Sequence, residues 1–402
     1  MWKKILRPYA SVVSLVVFVI IGVLSVIRIN FHFLDPFSNG IKDYDVTDIV
    51  FSRFRSRQSV IDDRIVIVNV GQEGRVTLAA MLERIAAADP KAIGVDVFFS
   101  DHKATSTDSV LQAVLRRSGK VVTSSKLINY REDRQEFDPE AGVDTFFSNY
   151  VRTGYANFPS ANSKTIRFFS PQENTIKGPA YSFAVQVVRQ YEPAAAEQLL
   201  ERRKKLERIY YTSNENNFLQ FEPAQILDTQ IDLRLLLKDK IVLLGYNDPY
   251  NEECPMLDKH YTPLNQQYSG RTEPDMYGVV IHANIIQMML DRKYIFTMPG
   301  WLSILLALVY CYVNILLLEE IHERYPRLYY PIIRVLQVLE FTFLFFLLSV
   351  LFYYFRIKWD FSIGMLALAL YFDVVLSYES ILNNQRPWIE KLPKLFDKEE
   401  EE

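Results

Sequence analysis

Four long apolar segments interrupt an otherwise mixed sequence of 402 residues. Each has 18 to 25 residues and at most one charge, and at about 1.5 Å per residue this is close to the ~30 Å of a bilayer's hydrocarbon core. They span residues 8–27, 294–318, 335–355 and 361–378. Soluble helices of this length normally carry a polar stripe. The pattern therefore predicts four transmembrane helices, one before and three after a large mixed region.

The first segment also resembles a cleavable signal peptide, because Lys3, Lys4 and Arg7 precede it. Its apolar run is longer than that of a typical signal peptide, and no cleavage site of small residues closes it before Arg28. An uncleaved signal anchor over residues 1–28 is the favoured interpretation.

Positive charges in short connections stay on the cytoplasmic side of a membrane. With the N-terminus in the cytoplasm, ten lysines and arginines fall on that side and only Arg356 and Lys358 on the other. The ten are Lys3, Lys4, Arg7, Arg324, Arg327, Arg334, Arg386, Lys391, Lys394 and Lys398. We therefore expect a multi-pass protein of the inner (cytoplasmic) membrane, with both termini cytoplasmic and residues 28–294 outside.

Between the first two membrane segments, unbroken apolar runs alternate with helical periods. The runs are residues 64–70, 92–99, 120–124 and 240–245, and the helical periods are residues 78–88 and 109–117. Apolar runs without alternation, separated by helices, are typical of parallel strands buried on both faces. The prediction for residues 29–294 is an α/β domain with a mainly parallel central sheet, followed by an all-α membrane part at 295–378.

The middle of this domain has a looser pattern. Residues 155–158 and 165–169 flank a polar turn and predict an antiparallel hairpin. Residues 181–201 predict one long amphipathic helix, and residues 207–212 a further strand. The basic residues after that helix are either a binding patch or a solvated helix end that offsets the macrodipole. They are Arg202, Arg203, Lys204, Lys205 and Arg208.

Composition narrows the function classes. A net charge of −3 argues against nucleic-acid binding, and two cysteines cannot form a disulfide scaffold. The chain has no phosphate loop, nucleophile elbow or zinc-protease helix, and no metal-ligand spacing of Cys and His. We expect neither enzymatic activity nor a metal or other cofactor.

Seven short segments carry a family resemblance when taken together. They are residues 44–46, 52–55, 63–68, 91–100, 237–245, 262–263 and 278–284. In order and spacing they resemble the CHASE2 domain, over about residues 40–295. The resemblance implies an extracytoplasmic sensory domain of bacterial membrane receptors with one membrane helix before it and three after it. Residues 69–75 and 162–167 depart from the acidic turns of the family, so no ligand is carried over.

Ligands of open parallel sheets bind beyond the carboxyl ends of the strands. This rule selects Asn69, Gln72, Asp96, Asp101, Ser124, Asn247 and Asp248, which Arg75, His282 and Asn284 join if their segments reach the same edge. Asp96 stands in an apolar strand, where a carboxylate needs a partner, and is the first candidate. The alternative is that Asp96 and Asp101 cap helices or fix loops, and that His282 is structural.

Three polar residues fall within the predicted membrane helices, at similar depth toward the cytoplasmic side. They are Asn314, Glu340 and Asp373. Charged groups in a bilayer are costly and usually face a partner or a cavity. This layer couples helix positions, or it supplies packing hydrogen bonds and snorkelling side chains.

Residues 379–402 form a short acidic tail, too short for the output domains that CHASE2 receptors generally carry. We therefore expect a membrane-anchored sensory protein that recognises an unknown extracytoplasmic ligand and signals through a cytoplasmic or membrane protein partner. Homodimerisation is compatible with such signalling. The alternative is a structural or assembly subunit of a cell-envelope complex without a small-molecule ligand.

Overall fold

The structure is a computed structural model, and it describes residues 8–26, 46–54, 60–103, 105–159, 164–248, 258–265 and 273–389. The chain divides into two compact units. One combines Met1–Asp35 with Phe296–Glu402, and the other is Pro36–Ile295.

The described helices are numbered in chain order. They are α1 (Pro8–Val26), α2 (Val46–Ile49), α3 (Arg75–Ala87), α4 (Thr105–Ser118), α5 (Thr145–Ser148), α6 (Phe183–Tyr191), α7 (Pro193–Glu201), α8 (Pro223–Leu227), α9 (Leu233–Leu237), α10 (Gly278–Leu290), α11 (Gly300–Arg324), α12 (Tyr329–Phe355) and α13 (Ser362–Ile389). A π-helical turn, Val50–Phe54, continues α2, and a short 3-10 helix spans Glu215–Asn217.

The described strands are numbered in the same way. They are β1 (Asp62–Asn69), β2 (Ala92–Val95), β3 (Val121–Ser125), β4 (Tyr130–Arg131), β5 (Glu136–Phe137), β6 (Arg152–Tyr155), β7 (Phe168–Phe169), β8 (Gln172–Thr175), β9 (Gly178–Tyr181), β10 (Glu207–Arg208), β11 (Phe218–Phe221), β12 (Ile241–Gly245), β13 (Lys259–His260), β14 (Met276–Tyr277), β15 (Phe296–Thr297) and β16 (Ile357–Lys358).

A six-stranded sheet forms the centre of the second unit, in the order β11-β1-β12-β2-β3-β6. Every neighbouring pair in it is parallel. The predicted runs at 64–70, 120–124 and 240–245 are strands with nearly those bounds, whereas the run at 92–99 is a strand only over Ala92–Val95. Strands covered on both faces have no polar side to present, which is why these runs are unbroken. The predicted mainly parallel sheet is therefore confirmed.

Helices cover both faces of this sheet. Val66, Val95 and Leu244 pack into one cluster with the buried faces of α3, α4, α8 and α9. The opposite face meets α6 and α10, and Gly94 of β2 allows a close approach there. A Cβ at Gly94 would lie 2.9 Å from the Phe183 ring of α6. The result is a three-layered α/β/α domain whose carboxyl strand ends share one edge.

The middle of the domain differs in detail from the prediction. Tyr155 ends β6, which pairs in parallel with β3, and β7 pairs with β10, so the segments at 155–158 and 165–169 do not form a hairpin with each other. Among the described residues, antiparallel hairpins are formed by β4 with β5 and by β8 with β9 instead. A segment that pairs with the edge strand of a sheet forms a row of backbone hydrogen bonds. The local sequence of a polar turn contains no information about this long-range pairing. Part of the predicted turn, residues 160–163, lies outside the described residues.

The predicted long helix at 181–201 is two helices. α6 ends at Tyr191 and α7 begins at Pro193, with Glu192 between them in a non-helical conformation. Proline has no backbone N–H to continue a helix but suits its first turn. The predicted strand at 207–212 is also shorter, since only Glu207 and Arg208 pair as strand residues.

The first unit contains four helices that are long and apolar enough to cross a membrane: α1, α11, α12 and α13. Their apolar residues share one cluster, which includes Val17 of α1, Ile315 of α11, Ile333 of α12 and Phe372 of α13. The predicted arrangement of one helix before the domain and three after it is confirmed, and the chain is a multi-pass membrane protein. α13 continues to Ile389, beyond the predicted end at residue 378.

Candidate functional site

Asp96 and His282 meet at the carboxyl edge of the central sheet. Asp96 directly follows β2, and its amide donates to the Leu244 carbonyl of β12 at 2.7 Å. His282 lies in α10, and its Nε2 is 3.9 Å from Asp96 Oδ2. The side chains are 12% and 4% exposed. Because 3.9 Å is too long for a hydrogen bond, the two groups face each other without one.

Aromatic rings hold the imidazole of His282 in place. The Phe158 ring stacks on it, with centroids 4.9 Å apart and planes 27° apart. The Phe183 ring of α6 meets it edge-on at 5.1 Å. An imidazole held between two phenyl rings has few ways to rotate, so its nitrogen atoms keep fixed directions.

Asp258 and His260 form a second acid–histidine pair, which is more exposed than Asp96 and His282. Asp258 Oδ1 is 3.7 Å from His260 Nε2, and these side chains are 45% and 36% exposed. The Asp258 carboxylate also lies beside the first residue of α10, since a Cβ built on Gly278 would be 3.2 Å from Asp258 Oδ2. The carboxylate thus sits at a helix N-terminus, where the backbone dipole favours negative charge.

Burial controls the charge of the Asp96–His282 pair. It raises the pKa of Asp96 to about 7, and the Asp258 carboxylate adds to the rise, whereas the Ser124 hydroxyl and His260 oppose it. Burial lowers the pKa of His282 to about 3, and His260 adds to that effect. At neutral pH His282 is therefore uncharged, and Asp96 lies close to its midpoint of titration.

Two buried polar atoms at this point lack a hydrogen bond within the described part of the chain: His282 Nδ1 and Ser124 Oγ. Ser124, in β3, is fully buried. Its hydroxyl lies close enough to the Asp96 carboxyl to affect its pKa, but not in hydrogen-bond geometry. Buried polar groups nearly always have a partner, so these two atoms are the candidate positions for a further hydrogen bond at this edge. We call Asp96, Ser124 and His282 the edge site.

Asn69 and Asn247 lie on the same edge but bind each other and the neighbouring strands. Asn69 Oδ1 accepts hydrogen bonds from the amides of Gly71 and Asn247, at 2.9 and 3.1 Å. Its amide group donates to Glu222 Oε2 at 2.8 Å, and that of Asn247 donates to Gln220 Oε1 at 2.8 Å. These bonds tie the ends of β1, β12 and β11 together. Ligand binding by either residue stays a prediction.

Arg75 and Asp101 belong to a different cluster, at the start of α3. Arg75 donates to Asp108 Oδ1 at 2.5 Å and to the carbonyl of Asp101, while the carboxylate of Asp101 is not part of this contact. The Lys103 amide donates to Asp108 Oδ2 at 2.7 Å. Burial alone would raise the pKa of Asp108, but these hydrogen bonds hold it below its usual value. The cluster joins α3 to α4, and ligand binding by Arg75 or Asp101 stays a prediction.

Asn284 and Asp248 also have partners in the domain. Asn284 Oδ1 accepts from the amides of Thr212 and Ser213 at 3.0 and 2.9 Å, and its Nδ2 donates to the carbonyls of Ser213 and Val280. Every hydrogen-bonding group of this side chain is therefore used. The Asp248 carbonyl accepts from the Tyr277 hydroxyl at 2.7 Å. For both residues, contact with a ligand stays a prediction.

Two of the five basic residues after α7 surround a buried acid. Arg202 and Lys204 both donate to the fully buried Glu207 carboxylate, at 2.9 and 3.2 Å. Arg208 is itself buried, with its guanidinium 4.5 Å from the Phe168 ring centre. In the described parts of the chain, no group of three or more His, Cys, Asp and Glu residues is placed to hold a metal ion.

The polar residues of the membrane helices fall into two groups. Asp373 pairs with Arg334 at 2.9 Å, and the Gln337 amide joins α12 to α13 through the Leu368 carbonyl at 2.9 Å. Asn314 donates to the Tyr310 carbonyl one turn before it. Asn314 Oδ1 and Glu340 Oε2 are buried and have no hydrogen bond among the described residues. The predicted coupling role of this layer stays a prediction.

Sequence reasoning did not select Phe158, Asp258 or His260. Asp258 and His260 do not directly follow a strand of the central sheet, Phe158 comes three residues after the end of β6, and no motif marks any of them.

Comparison with known families gives one match. A family model described as CHASE2 domain matches residues 16–316, about three quarters of the chain. No curated protein and no solved structure matches the sequence.

Proposed function

Because the chain belongs to the CHASE2 family of extracytoplasmic sensory domains, we propose that it recognises a small ligand at the edge site and signals through a separate partner protein. The four apolar helices hold the protein in the membrane. In this proposal the α/β domain is the sensor, and it has no catalytic activity of its own.

The buried, unpartnered His282 Nδ1 is the observation that carries the ligand proposal. If Nε2 holds the proton and faces Asp96, Nδ1 is an acceptor that needs a donor. Asp96 and Asp258 add acceptor oxygens, and Ser124 adds a hydroxyl. Amines and polyhydroxylated molecules present several donors and match this set. The position also agrees with the general rule that ligands of parallel sheets bind at the carboxyl edge.

Charge distribution supports the proposed orientation, with residues 28–294 outside the cytoplasmic membrane. The Arg334–Asp373 pair supports a protein partner. Its side chains are 55% and 58% exposed on helices that cross the membrane. In the proposed orientation this ion pair lies toward the cytoplasmic side, where polar groups of a partner protein can pair with it.

A binding screen on the full chain in lipid nanodiscs tests ligand recognition. Amines, polyols and carboxylates are added in turn, and the midpoint of thermal unfolding is measured. We expect an amine or a polyol to raise the midpoint, and its affinity to fall at least about tenfold in Ser124→Ala and His282→Gln, as expected for loss of one buried hydrogen bond. Ser106→Ala, an exposed serine of α4, is the matched control. Binding that survives both site substitutions would overturn the proposed site.

Gentle extraction of the intact protein from its membrane tests the signalling partner. The sensory proposal expects a protein that copurifies and whose association changes at least about twofold in Asp96→Asn, while hydrogen exchange shows the domain still folded. Copurification of envelope-assembly proteins alone, equally with wild type and Asp96→Asn, would support the assembly alternative instead.

A further inference from the structure

We propose that α10 couples the edge site to both ends of the α/β domain, the ends that continue in sequence to α1 and α11. All 13 residues of this helix are buried. It carries His282 at the edge site and Asn284 and Gln287 on the following turns. The inference rests on the proposed function only in taking a bound ligand as the event that changes the edge site.

The first link fixes the start of α10 to the end of β12 and to Asp258, which influences Asp96 of the edge site. A Cβ at Gly245, the last residue of β12, would lie 2.7 Å from Val279 Cβ, so helix and strand are already in contact. The Gly278 amide donates to the Asp258 carbonyl at 3.1 Å. Because close-packed elements have no free space to move into, a change at Asp96 or Asp258 acts on the helix as a whole.

The second link fixes the middle of α10 to residues 209–213, which follow β10. Asn284 accepts the amides of Thr212 and Ser213, as described above. Gln287 accepts the hydroxyls of the same two residues, that of Ser213 at 2.9 Å, and donates to Asp62 Oδ2 at 2.9 Å. Leaving one such buried group without its partner is unfavourable, because the group loses its hydration on burial and gains no hydrogen bond in return. The helix and this segment therefore move together.

The third link joins β10 to the first described segment of the domain, residues 46–54. Arg208 of β10 donates to Thr47 Oγ1 at 3.3 Å. Arg167, which precedes β7, forms a buried pair with Asp48 at 2.6 Å. The Phe51 ring meets the Tyr210 ring edge-on at 5.8 Å. Residues 46–54, which follow α1 in sequence, are thus held by Arg167, by Arg208 of β10 and by Tyr210.

The fourth link joins β10 to the last residue of the domain. Arg202 and Lys204 bind Glu207 of β10, and each also contacts the Ile295 carbonyl, at 3.4 and 3.3 Å. Ile295 lies five residues before the start of α11 at Gly300. One two-residue strand therefore holds both ends of the domain, and α10 is packed against the segment that follows it.

A double-mutant cycle on the full chain in nanodiscs tests this coupling without any ligand. Asp96→Asn alters the edge site without a ligand, because it removes the negative charge that Asp96 carries at about pH 8. Asn284→Ala removes the second link. Amide hydrogen exchange is followed in residues 92–96, 209–213, 46–54 and 293–297.

We expect Asp96→Asn to change exchange in residues 209–213, 46–54 and 293–297 by at least about threefold. In the Asn284→Ala background the change should persist in residues 92–96 and fall to less than half in the other three segments. Gln287→Leu serves as the second variant if Asn284→Ala does not fold. Gln112→Ala, which removes a hydrogen bond from α4 to the Phe146 carbonyl, is the matched control for the loss of a partly buried hydrogen bond. It should not change hydrogen exchange in any of the three segments.

Two results would overturn the coupling: no change in residues 46–54 and 293–297 on Asp96→Asn, or the same change with and without Asn284. Either outcome leaves ligand recognition to be judged by the binding screen alone. Failure of the coupling and failure of the proposed function are therefore distinguishable.

Discussion

His282 Nε2 faces Asp96 Oδ2 at 3.9 Å, so a buried base and a buried acid meet where β2 ends, and neither makes a hydrogen bond to the other. Burial disfavours the charged form of each and moves their pKa values in opposite directions. The pair therefore stays close to neutral over a range of pH in which exposed Asp and His residues would be charged.

The stability of the domain should depend on pH through Asp96. Its folded-state pKa, about 7, is above the unfolded value of 3.8, so its contribution is fully present below the unfolded value and is lost as pH rises to about 7. As pH rises from about 5 to about 8, the wild type should therefore lose on the order of 2 kcal/mol of unfolding free energy that Asp96→Asn keeps. The measurement is the free energy of opening of the β2 and β12 amides by hydrogen exchange in nanodiscs. Parallel pH profiles for the two proteins would contradict this.

His282 gives the opposite slope. Its folded-state pKa, about 3, is below the unfolded value of 6.5, so its contribution is present above 6.5 and is lost as pH falls toward 3. His282→Gln should flatten the fall in stability on the acid side and leave the slope above about pH 7 unchanged. The same exchange experiment checks it, and an altered slope only on the alkaline side would refute the assignment.

Arg75→Ala should destabilise the domain by about 3 kcal/mol, because it leaves the fully buried carboxylate of Asp108 without its cation. Arg117→Ala is the matched control, since Arg117 pairs with Glu83 on the surface, with side chains 66% and 58% exposed. The control should cost about 0–1 kcal/mol. Opening free energies of β1 and β2 amides in the two variants measure both values, and equal losses would mean that Arg75 has no special structural role.

Gly154→Ala should destabilise the domain by about 1–3 kcal/mol through overpacking. A Cβ at Gly154, in β6, would lie 2.7 Å from Phe183 Cα, and backbone cannot move aside as a flexible side chain does. Gly74→Ala is the control, because nothing lies within 4 Å of a Cβ there. Hydrogen exchange of β3 and β6 amides compares them, and a Gly154→Ala protein as stable as Gly74→Ala would show that the sheet and α6 pack less closely.

The proposed orientation predicts which cysteines a membrane-impermeant thiol reagent reaches in intact cells. Cys254, which lies outside the described residues, should react from the outside, whereas Cys311 is buried in α11 and should not. A Cys254→Ser protein carrying Ser106→Cys provides an exposed position on α4, and one carrying Glu402→Cys tests the tail. Labelling of Glu402→Cys but not of Ser106→Cys would reverse the topology.

Much of the architecture follows from local pattern. Long apolar segments must be membrane helices or buried ones, and unbroken apolar strands must be covered on both sides. Asp96 could also be selected from local pattern, because it is an acidic residue inside an apolar run. The prediction was wrong where two structures compete over similar local patterns: Tyr155 is the last residue of β6, which pairs with β3 in the central sheet, and it does not begin a hairpin with residues 165–169.

The sequence by itself determined the four membrane helices, the parallel sheet and the presence of polar residues at its carboxyl edge, because hydrophobic periodicity depends on residues close together in the chain. Only the tertiary structure decided which of those residues meet. It brought His282 to Asp96 across 186 positions and used Asn284 for the segment after β10. It also placed Arg75 with Asp108. Such partnerships depend on how helices pack onto the sheet, and packing is a property of the whole domain.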